Sequence, residues 1–176
     1  MHFTSDLNQL ISETNEDGTI TYEYDAGGNL IKQTGDKTVT YTYDRLNHLL
    51  QATVQKGNTV TTETYEYDYA GNRISKQVNE GNKTYYIIDE SSGLAQVVAE
   101  VEITKDASNK ETKNLIATYT LNGNERISVE QDNKTSYYFY NGHGNVRALT
   151  SEKGEITDTY SYDAYGNLLQ DTNLRC

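Results

Sequence analysis

The sequence predicts an all-β protein: an array of about eight antiparallel β-hairpins that lie side by side in a curved or spiralling sheet. Three observations support this prediction. A Tyr-x-Tyr-Asp segment followed by Gly-Asn and an apolar pair recurs along the chain. Thr, Tyr, Val and Ile are abundant and proline is absent, which favours strands. No stretch shows the 3.6-residue apolar period of an amphipathic helix.

The first strand of each hairpin alternates between two kinds of side chain. In Thr19–Tyr24, Ile and Tyr share one face, while Thr and Glu share the other. The chain has 16 Tyr, 2 Phe and no Trp, so the core is expected to be thin and built from tyrosine. We predict that the recurring rings align across neighbouring hairpins; the alternative is a stacking surface for glycans or an unfolded chain. These rings are Tyr22, Tyr24, Tyr41, Tyr43, Tyr65, Tyr67, Tyr138, Tyr140, Tyr160 and Tyr162.

A tight turn is predicted to follow each of these strands. An Asp side chain can bond backbone amides just downstream and so start the turn. Glycine then supplies a position where φ can be positive, and the asparagine after it also tolerates that region. His48 takes the place of this asparagine in one repeat. The turn residues are Asp25, Gly28, Asn29, Asp44, Asp68, Gly71, Asn72, Gly144, Asn145, Asp163, Gly166 and Asn167.

The turn-starting position can be traced through eight units. They are Asp6, Asp25, Asp44, Asp68, Asp89, Asn122, Asn141 and Asp163. The 33-residue spacing from Asp89 to Asn122 holds an insertion, which predicts a longer hairpin at about 96–120. No linker separates the units, so the sequence predicts a single array over residues 1–176.

Composition narrows the classes of partner. The net charge of −11 and the absence of a basic run argue against nucleic-acid binding. No run approaches the ~18 apolar residues of a membrane span. Residues 1–20 lack the apolar core of a signal peptide, so any export signal is expected to lie outside this chain. The lone Cys176 permits neither an intramolecular disulfide nor a cysteine-based zinc site, and its role is left open.

No constellation of residues predicts an enzyme or a cofactor. The turn carboxylates are spaced by whole repeats, too far apart for a glycosidase-like pair within ~10 Å unless the strip folds over itself. His2, His48 and His143 fall in separate units, and no nucleophile has a base near it in the sequence. His143 and Arg147 are candidate binding residues, because they lie in the most specific segment of the chain.

The repeated Tyr-x-Tyr-Asp-x-x-Gly-Asn-Leu unit resembles the YD repeat, also called the Rhs repeat. The segment Tyr138–Thr150 is similar to the H-x-G-x-V-R-A-L-T signature that precedes the Rhs core. This family includes bacterial Rhs and wall-associated proteins, shell components of insecticidal toxin complexes, and teneurins. The resemblance implies a spiral strip that forms the wall of a hollow shell. In toxin members the shell encloses a C-terminal toxin, which is released by an aspartyl protease in the core; the Asp-Pro-Gly-type motifs of that core are not in this chain.

The resemblance therefore implies a structural module of a secreted or cell-surface bacterial shell. Its expected partners are the rest of a larger shell, a second copy paired through the edge strands, and an enclosed toxin polypeptide. The alternative is an extracellular, adhesin-like module that binds a glycan or a protein through its tyrosine face or its long hairpin.

Overall fold

The computed structural model describes residues 2–6, 9–16, 18–106 and 108–173 of the chain. These residues form 16 strands and no helix, and the order of the strands in the sheet is their order in the chain. The strand pairs are antiparallel, as in Tyr43 opposite Leu49 and Tyr67 opposite Arg73. The prediction of an all-β hairpin array is confirmed. No helix in the described part is long and apolar enough to cross a membrane.

Contacts divide the chain into two compact units, 1–85 with 103–111 and 86–102 with 112–176. The strands that begin in the first unit are β1 (His2–Asp6), β2 (Gln9–Asn15), β3 (Gly18–Tyr24), β4 (Leu30–Thr34), β5 (Thr38–Tyr43), β6 (Leu49–Lys56), β7 (Thr59–Tyr67), β8 (Arg73–Val78) and β9 (Lys83–Asp89). Those that follow are β10 (Gln96–Lys105), β11 (Glu111–Asn122), β12 (Glu125–Gln131), β13 (Lys134–Tyr140), β14 (Val146–Ser151), β15 (Ile156–Tyr162) and β16 (Leu168–Asn173).

The longest strands, β10 and β11, lie at the insertion where a longer hairpin was predicted. That all the hairpins of residues 1–176 form a single continuous array stays a prediction. Within each unit, the strand contacts of the described residues join sequence neighbours. Each unit is therefore built from hairpins that pack side by side in one layer.

The core is thin, as the composition predicts. The buried residues of the described part are two apolar ones, Val39 and Ala117, and three polar ones, Ser75, Ser128 and Thr150. The recurring tyrosines are half-buried, whereas most Thr and Glu side chains between them are exposed in β3 and β5. The tyrosine face thus carries most of the apolar packing of each hairpin.

A β-bulge follows each tyrosine–aspartate turn. Tyr24 pairs with Leu30 but Glu23 pairs with Lys32, so Ile31 is an extra residue between them. The same register shift occurs at Tyr43, Tyr67, Tyr140 and Tyr162. Because a bulge bends its strand and increases the local twist, the repeat places one bend in every such hairpin at the same position.

Candidate functional site: the turn and tyrosine network

In the turns that begin with aspartate, the side-chain carboxylate closes the turn. The Asp68 Oδ1 atom accepts the backbone N–H groups of Ala70 and Asn72, both at 2.9 Å. Its Oδ2 atom accepts the side-chain amide of Asn72 at 3.0 Å. Asp25 and Asp163 bond their turns in the same way. Both oxygens of each carboxylate are therefore used inside the turn.

The left-handed backbone position lies at the glycine of the repeat. The φ angles of Gly28, Gly71, Gly144 and Gly166 are +86°, +86°, +77° and +84°. The asparagine that follows each glycine does not share this conformation. In three of these turns, the side chains of Asn29, Asn72 and Asn167 bond the turn carboxylate instead. In the turn without glycine, Asn47 takes the left-handed position with φ of +65°, so the conformation lies one residue before His48.

His48 links its own turn to the next hairpin. Its N–H donates to Asp44 Oδ1 at 2.8 Å, and its Nδ1 lies 2.9 Å from Asp44 Oδ2. The imidazole stacks on the Tyr67 ring, with centroids 4.8 Å apart and planes 18° from parallel. The histidine thus replaces the turn asparagine and adds a ring contact that asparagine cannot make.

Hydrogen bonds to the turn carboxylates lower their pKa values. The Asn72 amide and backbone hold the pKa of Asp68 below its usual 3.8, and the corresponding Asn29 and Asn167 groups do the same for Asp25 and Asp163. For Asp44, the His48 backbone N–H is the main cause of the lowered pKa. All four groups therefore favour the folded state as carboxylates.

The chain is expected to lose stability in acid through these turns. A carboxyl with a lowered folded pKa contributes stability above its unfolded pKa, near 3.8, and this stability is lost as pH falls through the folded value. Denaturant unfolding from neutral pH to about pH 2 should show a decline that starts near pH 4. Asp68→Asn keeps an oxygen acceptor but removes one titrating group, so it should reduce the steepness of this decline. An unchanged acid profile in that variant would contradict the explanation.

Asn141 makes a weaker version of the same turn. Its Oδ1 accepts the backbone N–H groups of His143 and Asn145 at 3.0 and 3.1 Å. Its other side-chain atom is an amide nitrogen, which cannot accept the Asn145 side chain as a second carboxylate oxygen would. Asn141→Asp is therefore expected to raise the free energy of unfolding by about 1 kcal/mol at neutral pH.

Urea unfolding would measure this gain, and Asn145→Ala supplies the control. In a chain that already carries Asn145→Ala, the aspartate has no side-chain amide to bond and the gain should largely disappear. Equal gains with and without the Asn145 side chain would show that the new charge acts in some other way.

At four of the turns, the neighbouring tyrosine reaches the preceding hairpin. The hydroxyls of Tyr24, Tyr43, Tyr67 and Tyr140 donate to the backbone carbonyls of Leu10, Leu30, Leu49 and Arg126 at 3.1, 2.9, 3.0 and 2.8 Å. Each acceptor is the residue at or next to the start of the strand that leaves the preceding turn. We call this contact the tyrosine tether. Burial raises the pKa of Tyr43 and of Tyr140, so the donors stay protonated at neutral pH.

Other tyrosines donate to glutamates. Tyr22 and Tyr119 bond Glu13 and Glu100, both at 2.7 Å, and Tyr65 bonds Glu63 at 2.5 Å. The Glu13 bond raises the pKa of Tyr22 to about 12. Burial is the main cause of the raised pKa values of Tyr65, about 12, and Tyr119. Tyr119 was not among the predicted site residues, although the Tyr119–Asn122 segment is a degenerate repeat.

The aromatic rings make more varied contacts than the predicted alignment of tyrosine rings across neighbouring hairpins. Tyr138 and Tyr140 stack with centroids 6.3 Å apart, while His48 rather than tyrosine stacks on Tyr67. Two rings carry a guanidinium instead: Arg73 lies 5.3 Å from the Tyr65 centroid and Arg126 lies 4.2 Å from that of Tyr119. The recurring contact between hairpins is thus the tyrosine tether. Alignment of all predicted rings, including Tyr160 and Tyr162, stays a prediction.

His143 and Arg147 are exposed at the β13–β14 hairpin. Arg147 is the extra residue of the bulge, a position where Ile31 and Leu50 stand in other hairpins. Their binding role stays a prediction. The His2 side chain and Cys176 lie outside the described residues. The described side chains contain no group of three His, Cys, Asp or Glu placed to hold a metal ion.

The chain is similar in sequence to two long bacterial proteins. It is 35% identical to the tRNA3(Ser)-specific nuclease WapA of Bacillus spizizenii, over 92% of this chain and 8% of that protein. It is 34% identical to the tRNA nuclease WapA of Bacillus subtilis strain 168, over 86% of this chain and 5% of that protein. The chain therefore spans less than a tenth of the length of these relatives.

Solved structures share the fold at low sequence identity. The crystal structure of TcdB2-TccC3-Cdc42 matches 97% of this chain and 11% of the solved chain, with a TM-score of 0.50 and 11% identity. The Tc holotoxin pore of Photorhabdus luminescens matches 87% of this chain and 10% of the solved chain, with a TM-score of 0.50 and 16% identity. The family model of the teneurin YD-shell matches residues 15–176. The chain therefore belongs to the teneurin YD-shell family, which confirms the resemblance seen in its tyrosine–aspartate repeats.

Proposed function

We propose that this chain is a structural segment in the wall of a secreted or cell-surface shell that encloses a C-terminal toxin polypeptide. The tyrosine tether is the observation that carries the proposal. It recurs at four tyrosines with distances of 2.8–3.1 Å, and at each of them it joins a hairpin to the one before it. A contact that recurs in this way suits a surface that must extend evenly, whereas a binding or catalytic site needs only one position.

The single-layer packing within each unit supports the same role. Only five residues of the described part are buried, so both faces of the hairpins are lined by half-buried or exposed side chains. A wall needs two such faces, one toward its contents and one toward the outside. The turn carboxylates and tyrosine hydroxyls that could serve a reaction are already bonded within the fold.

The relatives support a toxin as the enclosed polypeptide. Both Bacillus proteins are named tRNA nucleases, and this chain aligns with a small part of each. We propose that the remaining shell joins this segment through β1 and β16, the two ends of the strand order. Strand edges present backbone donors and acceptors that favour pairing with another strand.

Glycan binding through the tyrosine face has less support. The hydroxyls of Tyr24, Tyr43 and Tyr67 donate to backbone carbonyls, so a sugar would have to displace bonds that hold the hairpins together. The proposal therefore assigns the tyrosine face to structure.

Cryo-electron microscopy of the complete gene product that contains this chain would test the proposal. We expect the hairpins of residues 9–173 to form part of a closed wall, with density for another polypeptide segment inside. A map in which this segment stands outside any enclosure, or a complete product that is an open monomer without contents, would contradict the proposal. Binding of the complete product to a glycan array, abolished by Tyr→Phe changes on this face, would favour the adhesin-like alternative.

A further inference from the structure

β11 extends beyond the hairpin that follows it. Pairing between β11 and β12 starts with Thr118 opposite Glu130, and β12 reaches its turn at Asp132. β11 itself begins at Glu111, so Leu115, Ile116 and Ala117 lie before the paired segment. In the described part of the chain, no residue of β12 pairs with these three residues. The strand therefore offers an open backbone edge beside the β12–β13 turn.

A small cavity marks the corner where the pairing stops. It has a volume of about 100 Å³ and lies within the second unit. Its walls are β11 at Leu115–Thr118 and the turn at Glu130–Asn133. Leu115 is 65% exposed at its rim, while Ala117 is 6% exposed at its inner end. The corner thus combines an open strand edge with an apolar side chain that the fold does not cover.

The turn side of the corner carries negative charge. Neither Glu130 nor Asp132 takes part in an ion pair in the described structure, and Lys134 at the start of β13 pairs with neither. Glutamates on other hairpins do pair with lysine, as Glu66 does with Lys83 at 2.6 Å. A ligand for this corner is therefore expected to bring its own positive charge.

We propose that the β11 corner, formed by Leu115–Thr118 and Glu130–Asn133, binds an extended polypeptide segment that carries lysine or arginine. The segment adds a strand beside Leu115 and Ile116 through backbone hydrogen bonds. An apolar side chain of the segment packs on Leu115, and a cationic neighbour lies against Glu130 and Asp132. This inference does not depend on the chain being part of a shell wall.

A fluorescent synthetic peptide of alternating valine and lysine, blocked at both ends, is a suitable probe for the full chain. Anisotropy at low ionic strength should show saturable binding. Leu115→Lys is expected to weaken it at least about tenfold because it removes the apolar contact and adds a like charge. Combined Glu130→Gln and Asp132→Asn should cause a similar loss, and asparagine suits the φ of +53° at position 132.

Three controls separate this corner from general attraction to an acidic chain. Val60→Lys makes the same kind of change on β7, where Val60 is 53% exposed, and should leave binding unchanged. A valine–glutamate peptide should not bind, and a proline–lysine peptide, which lacks the backbone donors at proline, should bind far more weakly. Circular dichroism should show that each variant keeps its strand content.

Absence of saturable binding would overturn the proposal, as would an equal loss in Leu115→Lys and Val60→Lys or equal binding of the proline–lysine peptide. Sedimentation velocity of the chain without peptide tests whether a second copy of the chain occupies this edge instead. A concentration-dependent dimer that Leu115→Lys abolishes would assign the edge to a second copy and overturn the cationic peptide as its partner.

Discussion

Replacing Tyr24, Tyr43 and Tyr67 together by phenylalanine is expected to lower the free energy of unfolding by about 3 kcal/mol. Each change keeps the ring but removes the hydroxyl that donates to Leu10, Leu30 or Leu49. A part-buried carbonyl then loses its side-chain donor, which costs about 1 kcal/mol at each site. Because small domains are only marginally stable, such a loss would be a large share of the total.

Urea unfolding of the triple variant and of each single variant would measure these losses. Tyr69→Phe is a matched control, because Tyr69 is 99% exposed and lies two residues from Tyr67. We expect that control to leave the unfolding midpoint unchanged. A triple variant as stable as the control would show that the tethers contribute nothing to the cohesion of the hairpins.

Gly71→Ala is expected to destabilise the chain by about 2 kcal/mol or more. Two costs combine at this position. The φ of +86° is unfavourable for any residue with a Cβ atom, and the new Cβ would lie 3.0 Å from His48 Nε2. The imidazole cannot move freely, since it is bonded to Asp44 and stacked on Tyr67.

Gly166→Ala separates the two costs. Gly166 has nearly the same φ, +84°, and nothing lies within 4 Å of its added Cβ. Gly166→Ala should therefore lower the free energy of unfolding only by the cost of the unfavourable φ, about 1 kcal/mol. Adding His48→Asn to Gly71→Ala replaces the ring with the side chain used at this position in other turns and should recover part of the loss. Equal unfolding free energies for Gly71→Ala and Gly166→Ala would contradict the crowding at His48.

The sequence is informative about each hairpin because hairpins are set by local rules. Alternation in Thr19–Tyr24 predicts a strand with one tyrosine face, and Asp25 with Gly28 predicts the turn that follows. The structure has β3 over Gly18–Tyr24 and a turn in which Asp25 accepts the N–H groups of Gly27 and Asn29. All of these contacts lie within a few residues of one another.

Contacts between hairpins could not be predicted in the same way. The acceptor of the Tyr67 hydroxyl is the backbone carbonyl of Leu49, and every residue has a carbonyl, so no residue type marks it. Its position depends on the register of β6 with β7 and on the bulge beside Tyr43. The stacking of His48 on Tyr67 depends on the same register. The repeat therefore predicted the positions of the tyrosines in the strands but not the groups that accept hydrogen bonds from their hydroxyls.

Amide hydrogen exchange of the Tyr67→Phe variant tests most directly whether tyrosine tethers join one hairpin to the next. If the tether acts as the structure indicates, exchange should accelerate in β7, which carries the change, and in its hairpin partner β8. It should also accelerate in β6, whose Leu49 carbonyl accepts the bond, and in its hairpin partner β5. Tyr69→Phe should leave all four strands unchanged. Acceleration confined to β7 and β8, with β5 and β6 as protected as in the unmodified chain, would contradict the claim that the tether couples neighbouring hairpins.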